Sequence, residues 1–207
     1  TVTGSNLTGN LTVTAPTGFE VSTTSPGTSG FGGTATLTPS SGSLSAATVW
    51  VRLAATTGVA GSPYSGNISI SGGGATTQTV ATASSTVAAK ALTVTGATAT
   101  NRAYDGTTNV VVSGGSLTTG TGAGQVLSAD ASNVSLSSAS AAGTVSSAAV
   151  GNGKAVTVTG YSISGTASGN YSITQPTGVT VDITQKALTI TGATATNRAY
   201  DGTTNVV

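Results

Sequence analysis

Short runs in which apolar and polar residues alternate recur along the whole chain. In the first half they are Leu11-Thr12-Val13-Thr14, Thr34-Ala35-Thr36-Leu37-Thr38, Thr48-Val49-Trp50-Val51-Arg52-Leu53, Asn67-Ile68-Ser69-Ile70 and Gln78-Thr79-Val80-Ala81. Leu92-Thr93-Val94-Thr95, Val156-Thr157-Val158-Thr159, Tyr161-Ser162-Ile163 and Val179-Thr180-Val181-Asp182-Ile183 follow. A period of two puts Val, Leu and Ile on one face of a strand and Thr and Ser on the other. Short strands of this kind, bounded by Gly, Ser, Asn and Pro, predict an all-β chain of sandwich or barrel type. No apolar stripe of helical period is present; the Ala-rich residues 137–149 admit one short helix at most. Turns are expected at Pro16-Thr17-Gly18, Ser25-Pro26-Gly27, Gly72-Gly73-Gly74, Asp105-Gly106, Pro176-Thr177-Gly178 and Asp201-Gly202, since Gly accepts a positive φ without steric cost.

A second pattern overlies the first. Residues 90–111 read KALTVTGATATNRAYDGTTNVV, and residues 186–207 repeat them with the single change of Val94 to Ile190. Near-identity at a 96-residue offset is the mark of a tandem module. The expected organisation is one module over residues 1–89, a second over 90–185, and the start of a further copy over 186–207. The chain therefore reads as a window on a longer repetitive protein. The spacer Ser84-Ser85-Thr86-Val87-Ala88-Ala89 is too short and too apolar for a flexible tether, so one module is expected to hand over almost directly to the next.

Composition narrows the function classes. Charged residues are 5% of the 207, against about 25% in an ordinary globular chain, and the net charge is +1. Disorder normally requires low hydropathy with high net charge, and this chain has neither. So small a charge creates no field that would recruit nucleic acid. Cys and His are absent, which removes disulfides, thiol nucleophiles and the commonest general base and metal ligand. The acids Glu20, Asp105, Asp130, Asp182 and Asp201 are too scattered for a calcium cage of about six to eight oxygens. No cofactor or metal is expected, no stretch is apolar enough to span a membrane, and no enzymatic activity is anticipated.

These residues carry a family resemblance. Lys90-Ala91-Leu92-Thr93, Tyr104-Asp105-Gly106-Thr107-Thr108, Gly169-Asn170-Tyr171 and Val181-Asp182-Ile183-Thr184 resemble the YDG repeat of large bacterial surface proteins and filamentous-haemagglutinin-like adhesins. Residues 1–89 are similar to an immunoglobulin-like repeat that accompanies such domains in giant secreted proteins. The marks are Gly4-Ser5-Asn6-Leu7-Thr8-Gly9, Ala15-Pro16-Thr17-Gly18-Phe19-Glu20-Val21-Ser22, Val49-Trp50-Val51-Arg52-Leu53 and Tyr64-Ser65-Gly66-Asn67-Ile68. Repeats of that kind begin with a further strand, which is expected to be missing here. The resemblance implies tandem immunoglobulin-like sandwiches joined end to end in an extracellular stalk or filament at a bacterial surface. Its partners would be further copies of the same modules, and surface glycans or other cells.

Candidate residues follow from both readings. Arg102, Tyr104, Asp105 and Gly106, with their second-copy counterparts Arg198, Tyr200, Asp201 and Gly202, are read as a structural turn. In that turn Asp-Gly bends the chain, Tyr packs over it and Arg pairs with Asp. Phe19 and Trp50 are read as core anchors, with Trp50 the candidate contact in an alternative glycan-binding reading. Arg52, two residues from Trp50 on the same strand face, is expected to stack on it or to pair with Glu20. Lys90, Lys154, Asn101, Asn170 and Asp182 are the residue types of a Lys–Asn cross-link. Sequons at Asn6, Asn10, Asn67, Asn133 and Asn170 mark candidate sugar sites. A third reading makes residues 186–207 a strand donated to a neighbouring subunit.

Overall fold

The computed structural model describes residues 1–24 and 29–204 and is all-β. The expected turn at Ser25-Pro26-Gly27 and the last three residues of the second repeat block lie outside the described residues. Backbone contacts divide the chain into two compact units. One comprises Thr1–Leu92, Thr118–Ser135 and Ile163–Thr174; the other comprises Thr93–Leu117, Leu136–Ser162 and Gln175–Val207. These divisions do not follow the 96-residue repeat offset, because packing rather than sequence duplication defines them.

The first unit opens with eight strands: β1 (Val2–Gly4), β2 (Leu11–Thr14), β3 (Phe19–Ser22), β4 (Thr34–Leu37), β5 (Leu44–Ala47), β6 (Trp50–Leu53), β7 (Asn67–Gly72) and β8 (Ala75–Ala81). The order β4-β2-β7-β8 makes a four-stranded antiparallel sheet, while β3 pairs with β6 and β1 with β5. Alternation does the work: Leu11 and Val13 of β2 are buried while Thr12 faces out. Leu11, Val13, Val21, Leu37, Leu44 and Ile68 form one core cluster drawn from β2, β3, β4, β5 and β7. The Gly72-Gly73-Gly74 stretch turns β7 into β8 with all three φ positive. Gly18, at φ 84, closes a turn in which Phe19 N–H donates to Pro16 O.

The spacer is tied down rather than free. Tyr64 and Ser85 exchange backbone hydrogen bonds, and Val87 N–H donates to Ser62 Oγ at 3.0 Å.

The chain continues through β9 (Lys90–Thr93), β10 (Thr95–Ala99), β11 (Arg102–Ala103), β12 (Asn109–Val110), β13 (Val112–Ser116), β14 (Ser135–Ser137), β15 (Ala142–Val145), β16 (Gly151–Thr159), β17 (Ser162–Ser164), β18 (Tyr171–Thr174) and β19 (Thr180–Thr184). The second unit holds a five-stranded sheet in the order β11-β19-β16-β15-β12, with an antiparallel β10–β13 pair. Only β11–β19 is parallel in that sheet. Val110, Val145, Val156, Val158, Val181 and Ile183 are buried in this sheet.

The Ala-rich residues 137–149 are not helical, as alternation in β15 overrides Ala propensity. Gly143 and Val145 are buried, and a Cβ on Gly143 would lie 2.7 Å from Val112 and 2.8 Å from Val156 side-chain atoms. Only a residue without a side chain lets β15 lie so close.

Lys186 to Thr204, the described part of the second block, forms no strand. In the first block, β10, β11 and β12 pair with β13, β19 and β15, all of which follow the block in sequence.

Candidate functional site

The Tyr-Asp-Gly-Thr turn leaves the end of β11, where Tyr104 N–H donates to Thr184 O at 2.8 Å. Asp105 Oδ1 collects three donors: Thr107 N–H at 2.8 Å, Thr107 Oγ1 at 2.9 Å and the Arg102 Nη1 guanidinium. Arg102 Nη2 also donates to Thr107 O at 2.5 Å. Gly106 sits at φ 80, the left-handed conformation that Gly adopts most readily. The Thr107 backbone N–H, then its hydroxyl, then Arg102 hold the Asp105 carboxyl below its ordinary pKa. All three donors fall on Oδ1, so this oxygen closes the turn. Tyr104 is 43% exposed, with its hydroxyl 4.0 Å from where a Gly106 Cβ would stand.

The second copy repeats this turn. Asp201 Oδ1 accepts from Thr203 N–H and Thr203 Oγ1, both at 2.9 Å, and from Arg198 Nη1, while Arg198 also reaches the Thr203 carbonyl. Gly202 is at φ 73, and the Asp201 carboxyl is likewise lowered, with the Thr203 backbone N–H as the leading cause. Tyr200 is 96% exposed. With no strands around it, this copy shows that the turn is built by residues within six positions of one another.

The residues of the first half separate by role. Phe19 is buried, whereas Trp50 is only half-buried, opposite Ser22 in the β3–β6 pair. Arg52 pairs with Glu20, Nη2 at 2.9 Å and Nε at 3.0 Å from Oε2. Its guanidinium lies 4.0 Å over the Phe31 ring, so the stacking partner is Phe31 and not Trp50. Phe31 reaches it because the Gly32 backbone bridges to Val21 in the adjacent strand.

Of the cross-link residue types Asn101 and Asp182 meet, Asn101 Nδ2 donating to Asp182 Oδ2 at 3.3 Å, while the two lysines bond backbone carbonyls. Lys90 Nζ donates to Gly122 O at 2.6 Å and Gln125 O at 2.7 Å, and Lys154 Nζ to Ala149 O at 2.8 Å. Asn101 Oδ1 accepts from Asp182 N–H, and Asp182 Oδ1 accepts from Gly153 N–H. Asn170 Oδ1 accepts from Val59 N–H at 2.9 Å. Beside it, the Tyr171 hydroxyl donates to Asp130 Oδ2 at 2.6 Å and accepts from Leu127 N–H at 3.2 Å. The Asp130–Tyr171 pair escaped sequence reasoning, since nothing in the order of residues connects positions 41 apart. Among the described residues no cluster of three metal-ligating side chains is present, and no helix is long and apolar enough to cross a membrane.

Residues 88–178 match the family model of the YDG domain. No curated protein and no solved structure matches the chain.

Proposed function

We propose that this chain is a stalk or filament segment of a giant repetitive protein on a bacterial surface or in its secreted matrix, built as immunoglobulin-like sandwiches set end to end. The observation that carries the reading is the return of a 22-residue block, with one change, at a 96-residue offset inside and after a YDG-type domain. The residues most suggestive of chemistry, Arg102, Asp105 and Thr107, hold one another in a turn and repeat in the second copy. The mechanism is reach: the nine-residue β16 spans about 30 Å at about 3.3 Å per residue, and similar modules in series add length without new chemistry. The spacer residues bonded to the first unit support stiff succession rather than a swivelling chain. Electron microscopy of the native protein, released gently from its cells, tests this. Beaded fibres with a regular axial repeat are the expected result; isolated compact particles would overturn it.

One observation favours strand exchange as a second reading. Leu188 and Ile190 are each 91% exposed, although their counterparts Leu92 and Val94 are 0% and 4% exposed. Apolar side chains that are buried in one copy and bare in the other are what a donated strand would present. The chain's lack of Cys makes the test clean. Thr98 and Ser113 face each other across β10–β13, hydroxyls 3.3 Å apart, so T98C/S113C is expected to form an internal disulfide. T194C/S113C cross-links only if the second block occupies that place, as dimers if the exchange is between chains.

A further inference from the structure

The Gly169-Asn170-Tyr171 turn, one of the family-like motifs, contacts residues that precede the YDG match. Its 3-10 turn, Ser168–Asn170, packs against another 3-10 turn, Val59–Gly61, from the part of the chain that precedes the YDG match. Asn170 Oδ1 accepts the Val59 N–H, a hydrogen bond spanning 111 residues. Gly58 lies so close that a Cβ there would stand 2.6 Å from Asn170 Oδ1. Tyr171, buried against Leu127 and Asp130, anchors the end of the same turn.

The covalent connection between these parts is short. Val87 is hydrogen-bonded to Ser62 on the earlier side, and Lys90 to Gly122 and Gln125 on the later side. Ala88 and Ala89 alone lie between those ties. A two-residue link leaves a few backbone dihedrals to rotate, and a second attachment far along the chain stops that rotation. Beside the contact runs a half-open groove of about 500 Å³, lined by Gly58, Val59, Lys90, Asp130, Asn170 and Tyr171. Beside an open groove, the Asn170–Val59 hydrogen bond is the directional contact that fixes orientation.

We propose that the Gly-Asn-Tyr turn is a joint within the first compact unit, in which Asn170 holds the first turn of the preceding segment against Thr118–Ser135 and Ile163–Thr174. The partner it fits is a backbone N–H at the start of a 3-10 turn, preceded by a Gly that permits the approach. The purpose of such a joint rests on the stalk reading, but its existence does not. Fibres with a loose joint would overturn this inference alone, and a rigid joint without fibres would overturn the stalk alone.

The test uses the full chain with Asn170→Ala and, from the opposite side, Gly58→Ala. Hydrogen exchange at the Val59 amide is measured first, and is expected to quicken by about tenfold or more in Asn170→Ala while the β2–β7 and β16–β19 amides keep their protection. Spin labels on cysteines introduced at the exposed Thr76 and Thr121 then report spacing across the joint. A narrow distance distribution in the parent chain, broadened in both variants, is expected. Unchanged Val59 exchange and an unchanged distribution in Asn170→Ala would overturn the joint, as would a distribution already broad in the parent. If Asn170→Ala fails to fold, Gly58→Ala is read by the same two criteria.

Discussion

At the scale of single residues, the Arg-x-x-Asp-x-Thr turn is the most self-contained structure in the chain. Asp105 and Asp201 both lie below their ordinary value of 3.8, each with a Thr backbone N–H as the leading cause. A depressed folded value means that the ionised carboxyl stabilises the turn. That contribution is present above pH 3.8 and is lost as the pH falls through the folded value. Carboxyl-detected NMR titration should therefore find both groups acid-shifted. In Thr107→Val, which keeps the N–H and removes the hydroxyl, Asp105 should move back toward 3.8 while Asp201 stays. An ordinary titration at Asp201 would show that the turn needs its surrounding sheet. The turn was legible in the sequence because its donors and acceptor are close neighbours in the chain. The stacking of Arg52 on Phe31 was not, because a loop bridge brings the ring there.

At the scale of elements, one sequence occurs in two environments. Leu92 is fully buried and Leu188 is bare, so the same substitution reads the packing of each block. Leu92→Ala is expected to cost about 2–5 kcal/mol in urea unfolding, from lost transfer energy and the cavity left behind. Leu188→Ala should stay within about 0.5 kcal/mol of the parent. Equal losses would mean that both blocks are packed in solution. Gly143→Ala probes the opposite fault, crowding between Val112 and Val156, and should cost about 1–3 kcal/mol by the same measurement. The alternating runs foretold where strands such as β2, β7, β16 and β19 would lie. They said nothing of β15, where Ala and Gly conceal the period and burial beside β16 reveals it.

At the scale of the whole molecule, long-range polar contacts matter more than charge, which the chain scarcely has. Burial, and then the bond to Asp130, push the Tyr171 phenol above its ordinary value of 10.0. The fold therefore favours the neutral phenol. That stabilisation is complete below pH 10.0, and declines as the pH rises from there through the folded value. Tyr171→Phe should cost about 1 kcal/mol at neutral pH, through the lost hydrogen bonds. It should also flatten the alkaline loss of stability, followed as melting temperature against pH. An alkaline decline of the same size in the variant would place its origin in another group.

By itself the sequence determined what short-range physics controls. Period-two alternation set strand positions, Gly at positive φ set the turns, and Asp-Gly-Thr beside Arg set the recurring loop within the repeated block. Tertiary structure decided which strands pair. The Val–Thr pattern is alike from strand to strand, so alternation cannot say that β11 runs parallel to β19 or that β2 lies between β4 and β7. It also decided that Leu92 and Val94 are buried while their counterparts Leu188 and Ile190 are exposed, although the residues of the two blocks are nearly identical. The bond from Val59 to Asn170 belongs to the same class: 111 residues separate its ends, and only the folded chain brings them within 2.9 Å.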